Sequence, residues 1–276
     1  MIRFGASEGV VGGRLVVSGS LGIFMSMPIV LLHGFPFDGL MWRREVEFLA
    51  SPAGGGWRVS APDLPGFGTA PAVPAPAAAG ATIEGYAAEV HRMIGGLGGR
   101  AVVGGFSMGG YILLALLRGY PADVAGAMFI NTRADADSAE ARANRLKSID
   151  EVRASGTGRL VETMVGRLLG KNPTPALQDE MRRLMSRQSA AAVIAAQSAM
   201  SRRRDQTDLL PRIGVPALLV VGAEDAVTPP PVARGMQALL PGSRLVEIPG
   251  AGHMTPLEAP AALAAAMGEF AAGIKG

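Results

Sequence analysis

A serine flanked by glycines, between two apolar runs, is the feature that most constrains how this chain can fold. Residues 105–109 read Gly-Phe-Ser-Met-Gly, with an apolar run before them and a second one, of helical length, after them. A serine in this setting sits at a strand-to-helix turn so tight that glycine, which lacks a Cβ, is needed on both sides. Such a turn holds the Ser107 hydroxyl out of the sheet. A glycine-rich turn that contains serine by chance is the other interpretation, and the rest of the chain has to decide between them.

A serine hydroxyl is a weak nucleophile until a neighbouring base takes its proton, so a histidine is required. The chain contains three histidines. His253 lies on a glycine-rich loop after a short predicted strand, residues 245–248, and is the candidate base. His91 lies within a predicted helix and is expected to be a surface residue.

The base needs an acid that holds its tautomer and stabilises the imidazolium form. Asp225 follows the predicted strand at residues 217–221, in the sequence Gly-Ala-Glu-Asp, and is the candidate acid. Glu224 is the competing candidate. The spacing of Asp225 from Gly222 favours the aspartate, because it matches the family discussed next.

The order of Ser107, Asp225 and His253 resembles that of the α/β-hydrolase superfamily, in which nucleophile, acid and base follow one another along the chain. The resemblance extends over nearly the whole sequence. It rests also on three further segments: His-Gly-Phe at 33–35, Asp-Leu-Pro-Gly-Phe-Gly at 63–68, and the histidine loop with its following helix, 250–260. Within the superfamily the chain is most similar to small carboxylesterases and to serine hydrolases like 3-oxoadipate enol-lactonase.

The resemblance implies a serine hydrolase that cleaves a small carboxylic ester or lactone through an acyl-enzyme, with no metal and no organic cofactor. It implies that the backbone N–H groups of Phe35 and Met108 form the oxyanion hole. It also makes His33 and Gly34, in the loop after the predicted strand at 28–32, candidates for substrate contact.

The predicted elements alternate between strand and helix on both sides of a long helical stretch. Alternation predicts a mostly parallel sheet with helices on both faces, and ligands then bind beyond the carboxyl ends of the strands. Residues 1–131 and 207–276 are therefore predicted to form an α/β-hydrolase core domain. Residues 132–206 are predicted to form an all-helical cap, or lid, over the active site. A packed helical layer is the plainer interpretation, and the two are compatible.

The predicted cap is positively charged. Residues 133–205 contain 12 Arg and 2 Lys against 9 Asp and Glu, a net charge of +5, while the whole chain carries +3. Such a lid can draw in anionic substrates, although solvated helix faces explain the charge equally simply. Arg133 follows a predicted core strand, so we expect it to reach a substrate carboxylate. Four methionines are assigned to the lid core or to an adaptable pocket wall: 164, 181, 185 and 200.

Composition excludes several classes of function. The chain has no cysteine, so it has neither disulfides nor thiolate metal sites, and it is compatible with the cytoplasm, where we expect it. No basic run with interleaved aromatics points to nucleic acid. The apolar stretch at 15–32 contains Ser, Gly and Pro and ends in a predicted core strand, so it is read neither as a membrane span nor as a signal peptide. The oligomeric state stays open.

The first 27 residues have two interpretations. They can supply the antiparallel hairpin that starts this fold, with residues 14–17 as one strand. Alternatively, Met25 or Met27 is the biological start of the chain, and the upstream stretch is poorly ordered.

Other functions remain compatible with the same residues. A cofactor-free perhydrolase of the haloperoxidase type and a C–C bond hydrolase use the same three side chains. A receptor for a small ligand would bind without turnover, and the complete set of catalytic residues argues against it. Dehalogenases and epoxide hydrolases of this fold need an aspartate at position 107, so the serine there argues against both.

Overall fold

The computed structural model describes residues 8–10, 14–17, 27–71 and 80–274. Within these ranges eight strands are present: β1 Glu8–Val10, β2 Arg14–Val17, β3 Ile29–Leu32, β4 Val59–Pro62, β5 Ala101–Phe106, β6 Val124–Ile130, β7 Ala217–Gly222 and β8 Arg244–Ile248. The same ranges contain ten α-helices: α1 Arg43–Ala50, α2 Ile83–Gly95, α3 Met108–Gly119, α4 Ala139–Ser155, α5 Gly158–Leu168, α6 Pro175–Ser186, α7 Ala190–Ser201, α8 Pro230–Leu239, α9 Thr255–Glu258 and α10 Pro260–Ala272.

The strands form one sheet in the order β1-β2-β4-β3-β5-β6-β7-β8. From β4 to β8 all neighbours are parallel, and β1 and β2 add an antiparallel hairpin at one edge. The predicted strand at residues 14–17 is therefore present, where Arg14 pairs with Pro62 and Val17 with Val59. The expectations on residues 1–7, 11–13 and 18–26 lie outside the described residues.

Alternate residues of the central strands enter two separate hydrophobic cores. In β3, Val30 and Leu32 pack into the core beneath α2, α3 and α8, whereas Ile29 and Leu31 pack into the core beneath α1 and α10. Strands covered on both faces are expected to be apolar throughout, because every side chain has a helix to pack against. The structure confirms the predicted mostly parallel sheet with helices on both faces.

Four consecutive helices, α4 to α7, separate β6 from β7, as the interrupted alternation predicted; they are called the inserted helices below. In three of them the residue before the first turn accepts a hydrogen bond from a backbone N–H, which is the usual N-terminal cap. The capping side chains are Ser138, Thr174 and Ser189. Helix α4 packs against α7 and α5 against α6. The buried side chains of α4 and α7 extend one core of the sheet, and those of α5 and α6 extend the other.

Glu45 of α1 is a buried acid without a partner. Its side chain is fully buried, and among the described residues neither carboxylate oxygen has a hydrogen-bond partner. Burial raises the pKa of Glu45 from 4.5 to about 8, because a buried carboxylate loses its hydration. The folded protein therefore keeps Glu45 protonated at neutral pH, whereas the unfolded chain ionises it.

This difference predicts a pH-dependent stability that Glu45→Gln removes. Between the unfolded pKa of 4.5 and the folded value of about 8, the native state holds a proton that the unfolded state has released. The free energy of unfolding then falls as the pH rises through this window and levels off above it. Because glutamine does not titrate, we expect the variant to gain about 1–3 kcal/mol relative to wild type between pH 5 and pH 9.

Urea unfolding of both proteins at pH 5, 7 and 9 measures the effect. Glu47→Gln on the same helix is the control, since Glu47 is exposed and only weakly paired with Arg43. Stability curves of wild type and Glu45→Gln that run parallel across this pH range would contradict the assignment.

Candidate active site

Ser107 occupies the sharp turn between β5 and α3. It adopts φ 50° and ψ −110°, a conformation that non-glycine residues rarely accept. A Cβ on Gly105 would lie 2.3 Å from the carbonyl oxygen of Gly109, and one on Gly109 would lie 2.3 Å from that of Leu32. Both glycines of the motif are therefore required by packing, as the sequence predicts. The turn leaves Ser107 partly exposed at the carboxyl edge of the sheet.

His253 lies on the loop between β8 and α9 and contacts Ser107. Its Nε2 atom is 3.0 Å from the Ser107 hydroxyl oxygen, and its Nδ1 atom is 2.8 Å from Oδ2 of Asp225. The ring is buried and packs against Phe106, with ring centroids 5.2 Å apart. A carboxylate at Nδ1 places the imidazole proton on that atom, so Nε2 is free to accept the serine proton.

Asp225 lies in the turn after β7 and is buried. Oδ2 accepts hydrogen bonds from His253, from the Asn131 amide at 2.9 Å and from the Thr228 hydroxyl at 2.7 Å. Oδ1 accepts from the backbone N–H groups of Val227 at 2.7 Å and Thr228 at 2.9 Å. Burial by itself would raise the pKa of Asp225, but the hydrogen bonds and charge of His253, with those of its other partners, hold the pKa well below its usual range. The acid is thus ionised while it orients the imidazole.

Glu224, the competing acid, does not contact His253 in the described structure. Its Oε2 atom instead accepts a hydrogen bond from the backbone N–H of Lys171, at 2.7 Å, in the turn after α5. Of the two acids that the sequence offered, only Asp225 is within hydrogen-bond distance of the histidine.

Asn131 is a positioning residue that the sequence analysis did not identify. It directly follows β6, at φ 44°, a left-handed conformation that asparagine tolerates better than most residues. Its amide donates to Asp225 and to the carbonyl of Gly252, at 3.3 Å, and its side-chain oxygen accepts from the Thr255 hydroxyl at 2.6 Å. One side chain therefore links the loops that carry the acid and the base. The sequence did contain an indication of this role. Asn131 directly follows β6, which is the neighbour of β5, the strand that leads into Ser107.

Two backbone N–H groups, those of Phe35 and Met108, have no hydrogen-bond acceptor among the described residues. Met108 is the first residue of α3, where the helix dipole also favours negative charge. Phe35, together with Ser107 and His253, lines the cavity described below. These are the two N–H groups that the resemblance to the α/β-hydrolases implies as the oxyanion hole.

His33 and Gly34 contribute to packing rather than to the cavity surface. His33 is fully buried; its Nε2 accepts from Leu64 N at 3.0 Å, and its Nδ1 donates to the Gly34 carbonyl at 3.0 Å. A Cβ on Gly34 would lie 2.5 Å from the Phe106 ring. Burial lowers the pKa of His33, which keeps the ring neutral and suited to this bridging role. Neither residue is among those that line the cavity containing Ser107, and their substrate contact stays a prediction.

Arg133 is paired with a neighbouring acid in this structure. Its guanidinium forms a two-pronged ion pair with Asp135, with Nε 2.7 Å from Oδ1 and Nη2 2.5 Å from Oδ2. Arg133 is not among the residues that line the cavity containing Ser107. The fork expected to hold a substrate carboxylate is therefore already occupied by a neighbouring acid.

A cavity of about 510 Å³ opens above Ser107 and His253 and extends beneath the inserted helices. Part of its wall is apolar, formed by Phe35, Tyr111, Met164, Leu168, Met200 and Val227. Helices α4 and α5 also contribute polar and charged side chains, among them Asn144, Arg145, Ser148, Glu151, Arg159 and Arg167. Two of the four methionines thus line the pocket, whereas Met181 and Met185 are buried in the core of the inserted helices.

The sequence predicts a surface position for His91, and the residue is exposed. Its ring stacks on Tyr120, and its Nδ1 atom lies 2.7 Å from a carboxylate oxygen of Asp123. Within the described ranges no group of three or more acidic or histidine side chains could hold a metal ion. No helix there combines the length and the apolar character needed to cross a bilayer.

The fold and the site together define an α/β-hydrolase. Residues 29–266 match the model of the alpha/beta hydrolase family, which covers well over half of the chain. The chain therefore belongs to this family, and the resemblance seen in its motifs is confirmed.

Named relatives include esterases and a lactonase. The chain is 30% identical over 256 residues, 89% of its length and 93% of the relative's, to a pimeloyl-[acyl-carrier protein] methyl ester esterase of Neisseria meningitidis serogroup B. A thermophilic esterase from Thermogutta terrifontis, solved with malate bound, superposes with a TM-score of 0.85 and 33% identity over 99% of both chains. The enol-lactonase from Burkholderia xenovorans LB400 superposes with a TM-score of 0.81 and 24% identity, over 93% of this chain and 95% of that one.

Proposed function

We propose that this protein hydrolyses small carboxylic esters or lactones, with Ser107 as nucleophile, His253 as general base and acid, and Asp225 as the residue that orients His253. The observation that carries the proposal is the unbroken hydrogen-bonded series Ser107 Oγ, His253 and Asp225, with separations of 3.0 Å and 2.8 Å. Such a series activates a hydroxyl that would otherwise keep its proton. The esterases among the relatives support the same reaction class.

The first half of the reaction is acyl transfer to Ser107. As the hydroxyl oxygen attacks the ester carbonyl, its proton moves to Nε2 of His253, and the imidazolium is stabilised by ionised Asp225. Negative charge develops on the former carbonyl oxygen, towards which the N–H groups of Phe35 and Met108 would donate. Removing one such donor costs about 3–4 kcal/mol in comparable sites. Collapse of the intermediate expels the alcohol, which takes the proton from His253.

The second half regenerates the enzyme. Water enters the cavity, gives a proton to His253 and attacks the acyl-enzyme carbonyl, and the same two N–H groups stabilise the new oxyanion. The acid product leaves as Ser107 recovers its proton from His253. Each step uses side chains and backbone groups of this chain alone, so the proposal includes neither a metal nor an organic cofactor.

The inserted helices are proposed to act as a cap that shapes the substrate chamber. Helices α4, α5 and α7 contribute wall residues to the cavity above Ser107. A volume of about 510 Å³ suits a small ester or lactone, since ligand pockets span roughly 300–1,000 Å³. The apolar wall residues would hold apolar parts of the substrate, and the polar and charged residues of α4 and α5 would face its polar groups.

The positive charge of the cap is proposed to favour substrates with an anionic far end. Arg159 and Arg167 line the cavity, both are exposed, and neither forms an ion pair within the described chain. They replace Arg133 in this role, because the Arg133 guanidinium is held by Asp135. Exposed charges act weakly and over a distance, so the preference should be moderate and sensitive to salt.

Ser107→Ala tests the nucleophile. We expect a folded protein in which kcat for p-nitrophenyl acetate falls by about 10⁴-fold or more and fluorophosphonate labelling disappears. The measurement is steady-state hydrolysis together with labelling of wild type and variant. Strong labelling of the variant would exclude Ser107 as the nucleophile. Peracid formation or C–C cleavage faster than ester hydrolysis by wild type would favour the alternative reactions instead.

Asp225→Asn and Glu224→Gln form a matched pair that tests the acid. Both replace a carboxylate with an amide at adjacent positions, but only Asp225 contacts His253. We expect Asp225→Asn to reduce kcat by about 10³- to 10⁴-fold, because asparagine favours the wrong imidazole tautomer. Glu224→Gln should retain most of the activity. Equal losses in the two variants would contradict the assignment.

The substrate-charge proposal predicts a change in relative specificity. Replacing both Arg159 and Arg167 by glutamine should lower kcat/KM for a dicarboxylic half-ester about 3- to 10-fold relative to a neutral ester of the same size. Arg133→Gln should change this ratio less. Arg182→Gln is the charge control, since Arg182 is a partly exposed cap residue outside the cavity. The effect should shrink as ionic strength rises. A ratio that is altered only by Arg133→Gln would restore the prediction made from the sequence.

A further inference from the structure

The turn after α5 lies directly on the loop that carries His253. The backbone N–H of His253 donates to the carbonyl of Leu168, the last residue of α5, at 2.9 Å. A Cβ on Gly252 would lie 2.3 Å from the backbone nitrogen of Gly170, so no side chain fits between the two segments. The inserted helices and the histidine loop therefore touch through their backbones.

Glu258, at the end of α9, joins these two segments through its carboxylate. Oε1 accepts from Gly170 N at 2.6 Å, while Oε2 accepts from Gly252 N and Met254 N, each at 3.0 Å. Gly252 and Met254 are the residues on either side of His253. Within the described chain Glu258 forms no ion pair with a lysine or arginine, so backbone N–H groups are its hydrogen-bonding partners.

A second carboxylate binds the same turn, from the loop that carries Asp225. Glu224, which precedes Asp225, accepts from Lys171 N at 2.7 Å. A Cβ on Gly170 would lie 3.0 Å from the Glu224 carboxylate and 3.1 Å from that of Glu258. The turn at residues 169–171 is thus held between the loop of the acid and the loop of the base.

We propose that Glu258 is a positioning residue that fixes the backbone around His253 and couples it to the cavity wall formed by α5. Helix α5 carries Met164 and Leu168, which line the cavity beside Ser107. Through Glu258 the imidazole and the substrate chamber keep one relative position. The inference rests on the proposed function, since it assigns importance to the placement of His253 as base.

The pattern of acceptors explains why a glutamate is needed at position 258. Glutamine offers one carbonyl oxygen, so its NH₂ group would face at least one backbone N–H and lose that contact. If the oxygen stays with Gly252 and Met254, the link to Gly170 is broken and the histidine loop is no longer held in place against the turn after α5. Alanine would leave all three N–H groups without their acceptor.

The test compares Glu258→Gln, Glu258→Ala and Glu224→Gln with Glu247→Gln, a β8 residue paired with the exposed Arg234. Steady-state kinetics on p-nitrophenyl acetate, the melting temperature and amide hydrogen exchange are measured for each. A small displacement of a catalytic group can cost on the order of 10²-fold in rate, so we expect Glu258→Gln to lower kcat about 10- to 100-fold. KM should change less than threefold, and hydrogen exchange at residues 168–171 should accelerate. Glu224→Gln should lower kcat less, and Glu247→Gln should leave all three readouts unchanged.

Glu258→Gln is the decisive variant, because Glu258→Ala can unfold the loop that carries His253. Wild-type kcat in Glu258→Gln, or a loss of kcat that equals its loss of folded protein, would overturn the inference. Fluorophosphonate labelling of wild type and of Ser107→Ala is read separately. If wild type is labelled and Glu258→Gln keeps its kcat, only the coupling through Glu258 is refuted. If wild type is not labelled, the proposed function is refuted.

Discussion

The close approach of β3, β5 and α3 around Ser107 is the constraint on which the rest of the site depends. The Gly109 position lies so near the Leu32 carbonyl, and Gly105 so near Gly109, that a Cβ at either glycine would overlap backbone atoms. This packing holds the backbone of Ser107 in its positive-φ conformation. Without such support, a serine would relax to a more favourable conformation. It directs the hydroxyl towards the carboxyl edge of a parallel sheet, where the loops after β3, β6, β7 and β8 also end.

At that edge a buried polar network replaces water as the partner of each charged group. Solvent is largely excluded from the buried Asp225 carboxylate. It can stay ionised there because side chains and backbone N–H groups donate hydrogen bonds to both of its oxygens. Asn131 adds a link between the acid loop and the histidine loop. Since every member has a partner, the imidazole is held in one orientation and one tautomer, which is the condition for proton transfer from a serine hydroxyl.

The inserted helices are anchored to loops at this edge of the sheet from two sides. On one side Glu224 and Glu258 hold the turn after α5. On the other, buried Asp38 accepts from Arg187 at 2.9 Å and Gln188 at 3.1 Å, in the turn between α6 and α7, and Gln188 in turn accepts from Gly68 N at 3.0 Å. The cavity and the carboxyl edge of the sheet are therefore one connected structure, and the partners in each of these contacts lie at least 53 residues apart in sequence.

The sequence by itself determined the strand-turn-helix around Ser107, the alternation that builds the sheet, the inserted helices and the order of serine, acid and base. These are local patterns, set by glycine sterics, apolar periodicity and N-terminal caps. Only the tertiary structure decided between Asp225 and Glu224, engaged Arg133 with Asp135, buried His33 between two loops and gave Asn131 and Glu258 their partners. Each of those outcomes depends on which backbone donors and side chains meet a given polar group. Segments such as residues 131, 170 and 252 become neighbours only once the sheet and the inserted helices have packed.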